Sequence, residues 1–147
     1  MNRLVSILVA FLLCAPAAAQ LKFGSATDNL LEPEKAFRFS ARSLDAQSLE
    51  VRFAIAEGYY LYRQRLSFAA EGNPGVRLGA PELPRGARHK DEFFGDVETY
   101  RKELRVRIPA EGQGSFELKV ISQGCADAGV CYVPMESRAR LDRKSVV

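Results

Sequence analysis

Two of the three cysteines in this 147-residue sequence have the types and spacing that could support redox chemistry. Five residues separate Cys125 from Cys131, and Gly124 and Gly129 beside them supply backbone freedom. A short turn of this kind can bring two thiols together across a hairpin. Two such thiols can form a disulfide, and disulfides exchange by thiolate attack through a mixed disulfide.

The first 19 residues have the features of a secretory signal peptide. Arg3 precedes a short apolar run that ends in three alanines, which is the pattern of a cleaved export signal. The run is shorter than the roughly 20 residues of a membrane-spanning helix. The alternative is a lipoprotein signal acylated at Cys14, but Leu13 stands where a small residue is expected. We therefore expect a signal peptide at residues 1–19, one domain at residues 20–147, and a periplasmic location.

Export would remove Cys14 and leave Cys125 and Cys131 as the cysteine pair in an oxidising compartment, where a disulfide is expected. Closing a loop of about 7 residues stabilises a chain by about 2.4 kcal/mol, against about 4.7 kcal/mol for a loop of about 100 residues. A structural disulfide would therefore do more by joining distant strands. A short loop flanked by glycine suits opening and closing, and both alternatives, structural or reactive, remain open at this point.

Charge and residue spacing exclude several other functions. The net charge of +3, with acids and bases interspersed, argues against a nucleic-acid partner. His89 is the only histidine, and with Cys125, Cys131 and Met135 it lacks the spacing of a zinc or copper site. There is no Ser/His/Asp arrangement, phosphate-binding glycine loop or paired-carboxylate signature. We expect no metal and no bound cofactor.

Alternating apolar and polar residues predict β-strands throughout the region that follows the signal. Such alternation is found at residues 37–39, 49–55, 104–108, 116–120 and 139–141. Turn signals rich in glycine and proline separate these runs, and no helix is predicted. Residues 72–90 lack clear periodicity, so we expect a loop and a short edge strand there. The pattern favours a β-sandwich, although the absence of tryptophan and the close cysteines argue against an antibody-type domain.

Three separated segments carry a family resemblance. Residues 123–134 read QGCADAGVCYVP, which resembles the active-site segment of the N-terminal periplasmic domain of the thiol:disulfide interchange protein DsbD family. That segment in the family reads close to Q-G-C-A-D-x-G-x-C-Y-x-P. Residues 58–62 (GYYLY) resemble the family's aromatic strand, and residues 91–95 (DEFFG) resemble its cap loop. The motifs occur in the family's order, so the resemblance spans nearly the whole mature chain.

The resemblance implies an all-β, immunoglobulin-like β-sandwich, with the redox pair on a hairpin and a cap loop that covers it. It also implies a thiol:disulfide oxidoreductase of the protein-disulfide reductase type. Cys131 would form the mixed disulfide with partners, and Cys125 would be the resolving thiol. The redox centre would be the Cys125–Cys131 disulfide itself, without a cofactor.

The cap loop is implied to shield this disulfide. Phe93 matches the family's shielding ring, which would exclude solvent and small thiols until a partner displaces it. The alternative is a loop phenylalanine tucked into the core. Phe94 stands where we expect a tyrosine, so any contact of a hydroxyl at that place is lost.

Four further residues are implied to tune the site. Asp91 and Glu92 match acidic positions, and carboxylates near a thiol would raise its pKa; the alternative is a solvated acidic loop. Tyr60 and Tyr62 lie two residues apart, share a face of a strand, and match the family's active-site tyrosines. Core packing is the alternative for at least one of them. Asp127, inside the short loop, would stabilise the turn.

The partners implied are a thioredoxin-like electron donor and periplasmic thiol oxidoreductases, with an isomerase or a cytochrome c maturation protein among the possible acceptors. A membrane electron-transporting protein is also implied, because the family's full-length proteins continue into a multi-helix membrane domain. The mature chain itself is expected to have no membrane span. A stand-alone domain and a piece of a larger protein both remain open. The alternative function is a non-catalytic periplasmic binding or assembly module with a structural disulfide.

Overall fold

The computed structural model describes residues 29–144, so the predicted signal peptide at residues 1–19 lies outside the described residues. The strands are β1 (Phe37–Asp45), β2 (Ser48–Ile55), β3 (Tyr59–Tyr62), β4 (Ser67–Glu71), β5 (Arg77–Leu78), β6 (Ala87–Asp91), β7 (Gly95–Tyr100), β8 (Glu103–Glu111), β9 (Gly114–Ser122), β10 (Gly124–Ala126), β11 (Val130–Cys131) and β12 (Met135–Arg143). A one-turn helix, α1 (Pro33–Ala36), precedes β1, and a 3-10 helix (Arg63–Arg65) follows β3.

Two antiparallel sheets form the sandwich. One has the strand order β1-β2-β8-β5 and the other has the order β12-β9-β4. Every second residue of β2, β8 and β9 is buried, and Val51, Val106 and Leu118 lie in one apolar cluster to which both sheets contribute. Removal of this apolar surface from water stabilises the fold. The predicted strands and the immunoglobulin-like sandwich are confirmed.

A third sheet, with the order β11-β10-β3-β7-β6, carries the cysteines. All four residues of β3 are buried, but successive side chains point to opposite faces. Tyr59 and Leu61 join the main core. Tyr60 and Tyr62 join a second, smaller cluster that contains Cys125. Strand β3 therefore connects the sandwich to the cystine.

The segment at residues 72–90 contains β5 and most of β6, and each of these strands lies at the end of its sheet. This agrees with the predicted loop and short edge strand. Helix α1 was not predicted, because a single turn that begins with proline is too short to show a helical period. Among the described residues, no helix is long and apolar enough to cross a membrane.

Gly124 allows β10 to lie close to its neighbours. A Cβ atom at this position would come within 2.4 Å of the backbone oxygen of Tyr60 and within 2.7 Å of the Phe37 ring. The first contact is with backbone, which cannot rotate away. The residue before Cys125 therefore has to be glycine for β10 to keep this position against β3.

We predict that Gly124→Ala lowers the free energy of unfolding by about 1–3 kcal/mol, the usual cost of forcing extra atoms into a packed site. Urea unfolding monitored by circular dichroism measures the change. Gly75→Ala is the matched control, because a Cβ there meets only the side-chain oxygen of Asn73, at 3.2 Å. Equal stability of the two variants would contradict the prediction.

Candidate functional site

The cystine lies across a short hairpin. Cys125 on β10 is paired directly with Cys131 on β11, the Cα atoms are 4.0 Å apart, and the S–S distance is 2.03 Å. Gly129 allows the tight turn because its φ of 89° is unfavourable for other residues. Cys125 is only 1% exposed, whereas Cys131 is half-buried on the outermost strand of the sheet. The predicted disulfide and its hairpin are confirmed, and Cys131 is the more exposed residue of the pair.

The Tyr62 hydroxyl lies behind the cystine. It donates a hydrogen bond to Oδ2 of Asp91 at 2.5 Å, and its oxygen is 3.0 Å from Sγ of Cys125 and 3.9 Å from Sγ of Cys131. Burial, assisted by the hydrogen bond to Asp91, raises the pKa of Tyr62 well above its usual value. The phenol therefore stays protonated at neutral pH. Because its proton points to Asp91, its oxygen can accept a hydrogen bond from a reduced thiol.

Asp91 shapes the cap loop as well as binding Tyr62. Its Oδ1 accepts hydrogen bonds from the backbone N–H groups of Phe93, at 2.7 Å, and Phe94, at 3.1 Å. Burial alone would raise the pKa of Asp91, but the hydrogen bonds from Tyr62 and from these two N–H groups hold it below its usual value. The site therefore keeps a buried negative charge close to the sulfurs at neutral pH. Glu92, the other predicted carboxylate, is exposed.

Aromatic rings surround the cystine on the side of β3. Tyr62 packs edge-on against Tyr60 and Phe94, with centroid distances of 5.5 Å and 5.0 Å. The guanidinium of Arg65 lies over the ring of Phe94, 4.2 Å from the ring centroid. Phe93 is 65% exposed and lies outside this cluster. Phe94 is thus the cap-loop ring that packs against the cystine cluster in this conformation, and the shielding role of Phe93 stays a prediction.

Two residues at the site were not singled out as site residues from the sequence. The guanidinium of Arg101 lies over the ring of Tyr60, 4.9 Å from its centroid, and binds both carboxylate oxygens of Asp127. The imidazole ring of His89 also packs against the ring of Tyr60, at a centroid distance of 5.7 Å. Its Nε2 is 3.9 Å from Oδ2 of Asp91. Arg101 lies in a charged stretch at residues 101–103, so only the tertiary pairing of the strands reveals it.

The groups at this site can support sulfur chemistry and proton transfer. Within residues 29–144, no group of three or more His, Cys, Asp or Glu side chains is placed to hold a metal ion. The reactive element is the disulfide, which an incoming thiolate can open. Tyr62 and Asp91 lie where a proton would leave or reach the sulfur of Cys125.

Comparison with known proteins identifies related sequences. A family model described as "Thiol:disulfide interchange protein DsbD, N-terminal" matches residues 27–143. The thiol:disulfide interchange protein DsbD of Ralstonia nicotianae is 54% identical over 120 residues, which are 80% of this chain and 19% of that protein. DsbD 1 of Pseudomonas aeruginosa is 39% identical over 153 residues, which cover 97% of this chain and 26% of that protein. The chain thus spans a fifth to a quarter of the length of these relatives.

Solved structures give the same result for the fold. The N-terminal domain of DsbD from Neisseria meningitidis, crystallised in the reduced form, is 33% identical with a TM-score of 0.71, and the match covers 78% of this chain and 91% of that one. The same relative in complex with the N-terminal domain of PilB matches with a TM-score of 0.63, again at 33% identity over 78% of this chain and 89% of that one. The chain belongs to the family of N-terminal domains of the thiol:disulfide interchange protein DsbD.

Proposed function

We propose that this chain is a periplasmic thiol–disulfide exchange domain that transfers electrons through the Cys125–Cys131 pair without a cofactor. The observation that carries the proposal is the asymmetry of the cystine. Cys131 is partly exposed on an outermost strand, whereas Cys125 is 1% exposed and its sulfur contacts the Tyr62 hydroxyl, which is hydrogen-bonded to Asp91. A partner can reach Cys131, while Cys125 stays buried and can act as the resolving thiol. Membership of the DsbD family supports the same chemistry.

The exchange follows from this asymmetry. A partner thiolate attacks Sγ of Cys131, a new intermolecular disulfide forms, and the Cys125 thiolate leaves and takes up one proton. A second thiolate of the partner then displaces Cys131, so the partner leaves oxidised and this domain holds two thiols. In the opposite direction, an oxidised acceptor forms its mixed disulfide with Cys131. Cys125 then attacks Cys131, reforms the internal bond and releases the reduced acceptor.

Tyr62 and Asp91 would manage the proton of Cys125. The contact of 3.0 Å between the Tyr62 oxygen and the Cys125 sulfur allows a reduced thiol to donate to the phenol. The phenol in turn donates to the Asp91 carboxylate. The negative charge of Asp91 disfavours a second negative charge on a nearby sulfur, so it raises the thiol pKa. A higher thiol pKa would slow the reaction of the reduced thiol with non-specific disulfides.

The cap loop would limit access to the bond. Phe94 packs beside Tyr62, in the smaller cluster that contains Cys125. We therefore assign to Phe94 the role of shielding the disulfide. Phe93, which is exposed, would contact the surface of a docked partner or fold over the cystine in another conformation. Glu92 is assigned a weaker electrostatic effect than Asp91, because solvent screens an exposed charge.

The donor that we propose is a thioredoxin-like domain, and the acceptors are periplasmic thiol oxidoreductases. A membrane electron-transporting protein would supply the donor. The complex between the Neisseria meningitidis relative and the PilB N-terminal domain supports a protein, rather than a small thiol, as the exchange partner. The apolar run and the three alanines of residues 1–19 support export, with residues 20–147 as the mature domain.

Trapping the mixed disulfide tests the roles of the two cysteines. Reduced Cys125→Ser should displace thionitrobenzoate from a thioredoxin-like partner whose single active-site cysteine carries it as a mixed disulfide, and the complex linked through Cys131 should accumulate because neither protein retains a resolving thiol. Non-reducing electrophoresis and peptide mass mapping measure the product. Cys131→Ser is the matched control and should give at least tenfold less complex. Equal trapping by both variants would contradict the assignment.

The reduction potential separates the exchange domain from the module with a structural disulfide. An exchange-competent bond should have a potential above about −300 mV, whereas structural disulfides lie below that value. Equilibration with dithiothreitol or glutathione buffers, read by thiol alkylation and mass spectrometry, gives the potential. A value well below −300 mV together with no exchange would support the structural alternative.

The charge of Asp91 should control thiol reactivity. We predict that Asp91→Asn increases the alkylation rate of the reduced domain at pH 7 by about threefold to tenfold, because removing the negative charge lowers the thiol pKa and so raises the fraction of thiolate. The pH profile of iodoacetamide alkylation should shift to lower pH. Glu92→Gln, one residue away but exposed, is the matched control and should shift the profile less. A larger effect of Glu92→Gln would refute the role of Asp91.

A further inference from the structure

An arginine outside the cysteine motif reaches the turn of the cystine hairpin. Arg101, between β7 and β8, donates from Nη2 to Oδ1 of Asp127 at 2.7 Å and from Nη1 to Oδ2 at 3.0 Å. The same guanidinium lies over the ring of Tyr60, whose backbone pairs with Cys125. Bidentate geometry and a stacked ring fix the orientation of a guanidinium better than a single ion pair does.

Reduction removes the covalent link that holds Cys131 against Cys125. Strand β11 has only two residues and, among the strands of residues 29–144, pairs with β10 alone. At its open end, Tyr132 is held by a hydrogen bond from its N–H to the oxygen of Gly124, at 3.0 Å, and by one from Gln123 Nε2 to its carbonyl, at 3.1 Å. At the turn end, Asp127 is held by a hydrogen bond from its N–H to the oxygen of Gly58, at 2.8 Å, and its side chain is held by the pair with Arg101. Both ends of the hairpin are therefore tied to the rest of the domain.

We propose that Arg101 is a positioning residue, which through Asp127 keeps the two thiols facing each other while the disulfide is open. This rests on the proposed exchange function. In the resolving step, the Cys125 thiol loses its proton and attacks Sγ of Cys131, and the bond from Cys131 to the partner sulfur breaks. The two electrons leave on the partner thiolate. The rate and equilibrium of this step depend on the effective concentration of Cys125 at Cys131.

Only a difference between the two redox states can make the pair matter for exchange. With the disulfide closed, the bond holds the hairpin in the arrangement in which the Arg101–Asp127 pair is formed, so the pair contributes its full free energy to the oxidised state. With the bond open, arrangements in which β11 separates from β10 and the pair is broken also become accessible, so the pair stabilises the reduced state less. Loss of the pair therefore disfavours closure of the disulfide and makes the reduction potential less negative.

The test uses Arg101→Gln and Asp127→Asn in the same chain, with equilibration in glutathione buffers. Each variant should lower the equilibrium constant for disulfide closure by about threefold to tenfold, which corresponds to about 15–30 mV towards less negative potential. Both shifts should have the same sign, because each variant breaks the same pair. A purely electrostatic effect would give shifts of opposite sign, because one variant removes a positive charge and the other a negative charge. Opposite signs would overturn the proposal.

Arg107→Gln is the matched control. Arg107 pairs with Asp45 at 3.1 Å, and the side chains are 50% and 46% exposed, close to the 46% and 52% of Arg101 and Asp127. This control should leave the potential unchanged. Unchanged potentials in Arg101→Gln and Asp127→Asn, with lowered thermal stability alone, would show a merely structural pair and overturn the proposal. Failure of the unmodified chain to exchange with a thioredoxin-like partner would instead count against the proposed function.

Discussion

Strand β3 is buried on both faces, and the site depends on this constraint. A strand of four residues that covers the main core with Tyr59 and Leu61 has to direct Tyr60 and Tyr62 to the opposite side. On that side, Tyr60 and Tyr62 lie next to Cys125 of the neighbouring strand β10, and the ring of Phe94 from the cap loop packs against them. The alternation of one short strand thereby fixes the distance between the packed interior and the redox centre.

Burial of Tyr62 makes its polar group dependent on partners. A buried hydroxyl without a hydrogen bond is costly, and Asp91 removes that cost while it accepts two backbone hydrogen bonds that shape the cap loop. The same carboxylate thus joins the chemistry of the sulfurs to the conformation of the loop beside them. Changes at Asp91 act on both at once, which is why a neighbouring exposed carboxylate, Glu92, is the informative comparison.

Much of this arrangement can be predicted from the sequence, for identifiable physical reasons. The strands with one buried face, such as β2 and β8, show a clear two-residue period, and the short spacing of Cys125 and Cys131 predicts a hairpin. Strand β3 was found as an aromatic run, but its two-sided burial depends on what packs on it. The exposure of Phe93 and the partial burial of Phe94 depend on how the cap loop packs against Tyr62 of β3, which the alternation of residues along the chain does not reveal. The contact of Arg101 with Asp127 joins residues 26 positions apart, and only the assembled sheet brings them together.

The short length of β11 affects which proteins can associate with the domain. A strand at the margin of a sheet displays unpaired N–H and C=O groups, and a long one invites indiscriminate addition of other chains. Two residues present too few such groups to template a foreign strand. Cys131 can thus lie on an edge strand without making the domain prone to aggregation. Selection among visiting proteins then falls to side chains rather than to main-chain pairing.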